Sequence, residues 1–341
     1  MVNIKDIAKK AGMSPSTVSR VVNGKKYVNP EKRSRILKLI EETGYVPNKA
    51  ARSMVLKRSF TVGIVIPDLF NMFQRQLISV IERHLETFGY HILIFFAALD
   101  GSGDGECLNK IKAESLDGII LLQEMKLPQV AEYLAAEKIP AVACTVSSGV
   151  IPCIHVDDER AARDAVAHLI GLGHKKIALI YAGGFSWAVK RTQGYFQALE
   201  EAGLRADRGR IAPSELFSAE SGLRAAEALL SRTRDFTAVF AITDELAMGA
   251  IRGLRDAGIR VPGDVSVVGF DDIEASEYLC PRLTTIKQPI PEMGAEAAFF
   301  IHHRITRPGT DLPGKGVVPH RLVVRESTAR PEPKKKQKNS P

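Results

Sequence analysis

The chain has no stretch able to cross a membrane. Its longest uninterrupted apolar run, Ile92 to Leu99, is eight residues, enough for a buried strand and far below the ~20 that a spanning helix requires. No charged start followed by an apolar block stands at the N-terminus, so no export signal is expected and the protein is predicted to stay in the cytoplasm. Cysteine is scarce and dispersed. Cys107, Cys144, Cys153 and Cys280 form no CxxC pair, which removes a zinc knot or a disulfide framework and fits reduced thiols in a reducing compartment. The histidines contain no HxxxH pair; no metal and no cofactor are expected.

The signatures of nucleotide and acyl chemistry are missing as well. No GxGxxG follows a strand, no GxxxxGK[ST] occurs, and there is no GxSxG elbow. Gly101-Ser102-Gly103-Asp104-Gly105 superficially resembles a phosphate cradle, but Asp104 is misplaced for binding an anion and a flexible loop is the expectation. Asp157-Asp158 and Asp271-Asp272 are adjacent pairs that point apart along the chain and need not form a general acid/base dyad. An enzyme is not expected.

What is present is charge, unevenly placed. Residues 1–60 carry a net +10 and residues 330–341 a net +4, while the rest of the 341-residue chain carries −6. A basic head on a mildly acidic body is the footprint of a nucleic-acid-binding module joined to something else. Within that head, Ile4, Ile7, Ala8 and Ala11 make one apolar helical stripe, with Asn3 as cap and Asp6 at the positive end of the dipole. Gly12 supplies a turn, Ser14 caps a second helix, and Pro15 takes its first position. Val18, Val21 and Val22 face inward, leaving Ser16, Thr17, Ser19, Arg20 and Asn23 outside, small or forked hydrogen-bonding groups suited to base edges. Asn29-Pro30 opens a third helix whose Ile36, Leu37 and Ile40 are expected to complete a three-helix core before Gly44 ends it. The short stretch Lys49 to Val55 is too brief to hold a helix alone in water, so it is either a linker or a segment that folds on DNA.

The segments IKDIAKKAGMSPSTVSRVVNG and GYVPNKAARSM resemble the headpiece and hinge of the lactose-repressor (LacI/GalR) family of bacterial transcription regulators. The likeness continues through DLFNMF, VDD, HLIGLGHKKIALI, GYFQALEEAGL, TAVFAITDELAMGAIRGL, VPGDVSVVGFDD, PRLTTIKQP and RLVVREST, in the family's order and spacing, up to about Arg330. The resemblance implies a homodimer on near-palindromic double-stranded operator DNA, most simply as a repressor; whether dimers pair further is left open. It places Pro15 and Ser16 where the family varies its sequence preference; Ser16, Thr17 and Arg20 are expected at base edges, and Ser14, Ser19, Asn23 and Tyr45 at phosphates. It also implies a hinge in which Asn48, Ala51 and Met54 meet the minor groove, with Met54 as a wedge where the family usually has leucine.

From Phe60 onward, β-branched runs alternate with amphipathic helical patterns. TVGIVIP, HILIFFA, DGIILL, PAVAC, KKIALIY, FTAVFAI and DVSVVGF read as strands, and 74–87, 159–171, 191–202, 219–230 and 244–257 as helices. That alternation predicts parallel sheets covered on both faces, split between two lobes near 61–157 and 158–287, with the helix from about Pro291 returning to the first lobe and the last strand in the second. The fold class is therefore an all-α helix-turn-helix headpiece plus an α/β, periplasmic-binding-protein-like body of two Rossmann-like lobes. The expected domains are 1–46 (headpiece), 47–60 (hinge helix and linker), 61–329 (effector-binding and dimerisation) and 330–341 (basic disordered tail). Strand ends facing the interlobe cleft collect Arg, Asp, aromatic and hydroxyl groups, a mixture suited to a sugar or another small polar molecule.

Carried over by resemblance, Arg191 and Asp271 are the effector-binding arginine and aspartate, Phe217 an aromatic wall, Phe73 a pocket residue of the first lobe, and Thr243 a polar ligand-facing position. The family's first-lobe segment usually reads asparagine-proline and then two aromatics; here it is Asn71-Met72-Phe73-Gln74, which gains Gln74. The alternative reading is a cytoplasmic sugar-binding or sugar-processing protein without specific DNA affinity.

Overall fold

A computed structural model describes residues 2–22, 28–45, 58–67, 71–98, 100–125, 128–146, 151–310 and 315–332. They fall into two compact units, Met1–Phe60 and Thr61–Pro341.

The first unit holds α1 (Ile4–Ala11), α2 (Pro15–Val22) and α3 (Pro30–Thr43). Asn3 begins α1 with a reciprocal cap: its Oδ1 accepts the N–H groups of Lys5 (2.9 Å) and Asp6 (3.2 Å), and Asp6 Oδ2 accepts the N–H of Asn3 (2.9 Å). Gly12 ends α1 at φ +67° and Gly44 ends α3 at φ +60°, backbone conformations that resist a side chain. Ile7, Ala8, Ala11, Val18, Val21, Ile36 and Tyr45 form the core. One expectation fails here. Leu37 is half exposed (50%), and Leu39 packs on the core in its place beside Ile40. Counting from the fully buried Ile36, the same face of a helix recurs at the third and fourth residues, 39 and 40, whereas residue 37 is rotated about 100° away.

The second unit is built from two six-stranded sheets. The first lobe contains β1 (Thr61–Ile66), α4 (Met72–Thr87), β2 (His91–Phe96), α5 (Asp104–Ala113), β3 (Gly118–Leu121), α6 (Pro128–Ala136), β4 (Ala141–Cys144) and β5 (Cys153–His155). The second contains α7 (Asp158–Gly171), β6 (Ile177–Ala182), α8 (Ser186–Glu201), β7 (Ile211–Ser214), α9 (Ala219–Arg232), β8 (Ala238–Ala241), α10 (Asp244–Asp256), β9 (Ser266–Asp271), α11 (Ala275–Tyr278) and β10 (Thr284–Lys287). The chain then returns as α12 (Ile290–Thr306), which packs on α4 and on β3, β4 and β5, and as β11 (Lys315–Val317), before β12 (Arg321–Val323) closes the second sheet.

Sheet order is β11-β5-β4-β3-β1-β2 in one lobe and β12-β10-β9-β8-β6-β7 in the other, all parallel except β12. Strands covered on both faces read as apolar runs rather than alternating, and β3, β4, β8 and β9 are buried at every position, with the polar Ser266 and Asp271 confined to the two ends of β9. Each lobe has the 2-1-3-4-5 order of a doubly wound sheet, so the crevice of each lies beyond the carboxyl ends of its two central strands, β1 with β3 and β6 with β8. Two further differences from the sequence reading concern the first lobe. The glycine-rich segment 101–105 is not wholly a loop: Asp104 opens α5 and is fully buried. α6 (PQVAEYLAA), nine residues long, is not among the helices expected from the sequence.

Candidate effector cleft and DNA-reading face

The crevices of the two lobes face each other, and the residues that follow β1, β3, β6 and β8 line one cleft. It has two adjoining chambers that share Asn71, Gln74, Leu122 and Trp187. The outer has a volume of about 390 Å³ and the inner about 50 Å³.

The inner chamber is charged. Arg191, on the second turn of α8, is 5% exposed and lies between Asp158 at the start of α7 and Asp271 at the end of β9. Its Nε donates to Asp158 Oδ1 (2.8 Å), and its Nη1 donates to the Ile242 carbonyl (2.8 Å) and to Asp271 Oδ1 (3.2 Å). The guanidinium also lies over the Phe270 ring, 3.5 Å from its centroid, and near the Trp187 ring at 4.6 Å. Gln288 Nε2 donates to the same Asp271 oxygen (2.7 Å). Burial pushes the carboxyls of Asp158 and Asp271 above the usual carboxylate range, against the pull of Arg191. Thr145, Asp271 and Asp272 all have positive φ (71°, 120° and 57°), and Thr145 and Asp271 line this chamber. Such strain, above all in a β-branched threonine, concentrates at working sites.

Phe73 and Thr243 also line the inner chamber, although the Thr243 hydroxyl is already occupied in capping α10 by accepting the Leu246 N–H (3.2 Å). Asp244 beside it is buried and turned away from the cleft. It accepts from the Ile273 N–H (3.0 Å), the Ser276 hydroxyl (2.7 Å) and the Thr285 hydroxyl (2.5 Å), tying α10 to α11 and β10.

The outer chamber is apolar and aromatic. Trp187, Phe185 and Phe217 pack together, with Trp187–Phe217 centroids 4.7 Å apart, and Met72, Leu122, Val146, Leu216 and Met248 contribute further wall. Trp187 belongs to the second lobe yet packs on the hydrophobic core of the first. Two carboxylates latch the lobes across the cleft, each on a helix N-terminus of the opposite lobe. Glu245 Oε1 accepts the Met72 N–H at the start of α4 (2.9 Å), and Glu124 Oε2 accepts the Ser186 N–H at the start of α8 (3.1 Å).

Of the residues singled out from sequence, Phe73, Gln74, Arg191, Thr243 and Asp271 meet around the inner chamber, and Phe217 lines the outer one with Gln74. Sequence reasoning missed Asp158 and Gln288 as partners of the charged pair. Asp158 lies 33 residues from Arg191 and Gln288 lies 17 from Asp271, contacts that the packing of α7 on α8 and the pairing of β10 with β9 bring about. For Asp158 the available signal was its place directly after the α7 cap, Asp157.

In the first unit, Ser14, Pro15, Ser16 and Arg20 are exposed, and Thr17 and Ser19 half-buried, on α2 and the turn before it. Ser14 Oγ accepts the Thr17 N–H (3.2 Å) and shares hydrogen bonds with the hydroxyls of Ser16 (2.8 Å) and Thr17 (2.9 Å), which gathers small polar groups at one helix N-terminus. Tyr45 is 8% exposed and its ring is part of the three-helix core. Asn23, Asn48, Ala51 and Met54 lie outside the described residues.

A three-helix unit with a polar second helix, followed by a two-lobed body enclosing a charged cleft, defines a ligand-responsive DNA-binding protein. Residues 3–48 match the family described as bacterial regulatory proteins, lacI family, and residues 166–328 match the periplasmic binding protein-like domain. Catabolite control protein A of Priestia megaterium is 36% identical over 96% of this chain and 99% of its own length. The HTH-type transcriptional repressor CytR of Escherichia coli (strain K12) is 32% identical over 95% and 96%. Among solved structures, the lac repressor dimer bound to operator and the anti-inducer ONPF superimposes with a TM-score of 0.85 at 28% identity, covering 96% of this chain and 99% of that one. A complex of the transcriptional regulator CelR with cellobiose gives 0.72 at 31% identity, covering 96% and 100%. The chain belongs to the LacI family of bacterial regulatory proteins: it is a DNA-binding transcriptional regulator and not an enzyme. No helix among the described residues is long and apolar enough to cross a membrane.

Proposed function

We propose that this regulator acts in the cytoplasm as a homodimeric repressor of a near-palindromic operator, and that a sugar or sugar derivative in the cleft sets its operator affinity. The observation that carries the effector half of this reading is the buried Asp158–Arg191–Asp271 cluster at the meeting point of both sheets' carboxyl ends. Paired charged acceptors and donors of this kind bind hydroxyls in pairs, and aromatic walls take the C–H faces of a ring. The relatives support it: one solved neighbour is a cellobiose complex and another, from Enterococcus faecium, holds bound ribose. Ligand acts through its differential affinity for the DNA-competent and DNA-released states.

On DNA, Ser16, Thr17 and Arg20 are assigned to base edges, with Pro15 shaping the same helix start; Ser14, Ser19, Asn23 and Tyr45 are assigned to phosphates. Asn48, Ala51 and Met54 are assigned to the minor groove by resemblance alone. The assignment is tested by Arg20→Ala on a selected operator. A base-edge arginine predicts a loss of about 1–3 kcal/mol together with relaxed preference at one base pair of each half-site. A uniform weakening across sequences, with a shallower salt dependence, assigns Arg20 to phosphate instead.

A further inference from the structure

The hydrogen-bonding capacity of the cleft is divided unevenly between its chambers. In the inner one, Arg191 is engaged by Asp158, Asp271 and the Ile242 carbonyl, and Asp271 also receives Gln288. In the outer one, two amides are half used. Gln74 Nε2 donates to the Leu122 carbonyl (3.1 Å) and Gln123 Nε2 donates to the Ala98 carbonyl (2.9 Å). A main-chain carbonyl can only accept, so both amide orientations are fixed and neither side chain can turn its NH₂ outward without losing that bond. Gln74 Oε1 and Gln123 Oε1 are buried and have no hydrogen-bond partner among the described residues, and Gln123 is 97% buried, at 3% exposed. A buried acceptor without a donor is costly, and a ligand that brings an N–H or O–H removes the cost.

Size and wall chemistry point the same way. At roughly 10–15 Å³ per water-sized group, the inner chamber of about 50 Å³ admits only a few hydroxyl-sized groups. The greater part of any ligand must lie in the outer chamber of about 390 Å³, whose wall includes Trp187, Phe217, Met72 and Met248. A sugar ring meets these surfaces only through its C–H faces. A flat apolar ring stacks on them.

We infer that the effector is amphipathic: a polyol end for the Asp158–Arg191–Asp271 cluster, joined to a flat ring that stacks in the outer chamber and donates a hydrogen bond to Gln74 or Gln123, as in a phenolic glycoside. This rests on the reading of the cleft as the effector site. Trp187 is the one tryptophan of the chain, so its fluorescence reports ring stacking directly. The experiment titrates the full chain with the methyl, phenyl and hydroxyphenyl β-glycosides of glucose, galactose and xylose. In at least one sugar series the phenyl compound is expected to bind at least about 10-fold tighter than the methyl one, with a shift in Trp187 emission. The hydroxyphenyl compound should gain about a further 3- to 10-fold, and one of Gln74→Leu and Gln123→Leu should cancel that last gain while leaving the phenyl advantage. Equal binding of methyl and phenyl compounds overturns the inference and leaves the sugar-site reading intact. A phenyl advantage without any gain from the hydroxyl overturns the role given to the two amides. Absence of binding by every glycoside at millimolar concentration overturns both the inference and the sugar-site reading.

Discussion

Arg191→Met is expected to cost about 3–5 kcal/mol of folding free energy at pH 8, the range found when one partner of a buried ion pair is removed. Methionine fills much of the same space between Phe270 and Trp187, so most of the loss is electrostatic. Asp158 and Asp271, 4% and 6% exposed, are left facing each other with no cation between them. Their response is to take up protons. Burial already raises both carboxyls above the unfolded value near 4, and removing Arg191 raises them further. A carboxyl whose folded pKa is raised binds its proton more tightly in the native state, so its contribution is fully present below pH 4 and is lost as pH rises through the folded pKa. The deficit of the variant should therefore be larger at pH 8 than at pH 5, and denaturant unfolding at the two pH values measures it. A loss below 1 kcal/mol that does not vary with pH would mean that the cluster carries little electrostatic weight. The same variant should lose its response to any effector that the wild-type protein senses.

The second large effect is steric. Gly249→Ala should destabilise the body by more than about 3 kcal/mol, although helix propensity alone favours alanine over glycine by about 1 kcal/mol. A Cβ at Gly249 would lie 1.9 Å from the Ala219 carbonyl oxygen and 2.4 Å from the Leu223 nitrogen, and one at Gly222 would lie 2.3 Å from the Leu246 carbonyl oxygen. Here α9 and α10 touch backbone to backbone, and neither can yield by rotating a side chain. The contact also serves the cleft, because α10 carries the Thr243 cap, the Glu245 latch and the Met248 wall. An alanine variant as stable as wild type would show that the crossing opens at little cost.

Much of this architecture is written locally in the chain. The headpiece is legible because its stops are chemical: Asn3 and Asn29 cap helices, and Gly12 and Gly44 take left-handed conformations that end them. Leu37 was misplaced because an apolar residue adjacent to the stripe looks like part of it until the helical phase is set by Ile36. β1 to β4, β6, β8 and β9 show themselves as apolar runs, even where only four residues pair. By contrast β5 and β11 are three residues long, and β7 contains Pro213 at the sheet edge, so no run forms for the eye to find. Arg191, Asp271 and Phe217 could be marked from motifs. Trp187, four residues before Arg191 on α8, could be placed at the cleft as well, but Asp158 and Gln288 could not, because helix packing and strand pairing bring them to Arg191 and Asp271 from 33 and 17 residues away.

Selection of bound sequences from a random double-stranded DNA pool by the purified full chain, at moderate salt and repeated with the glycosides above, tests most directly whether this protein reads DNA by sequence. The expected result is a near-palindromic site whose two half-sites are alike, as two α2 helices in successive major grooves require, with recovery changed when the effector is present. Recovery of DNA without any enriched sequence, under every ligand condition, would contradict it.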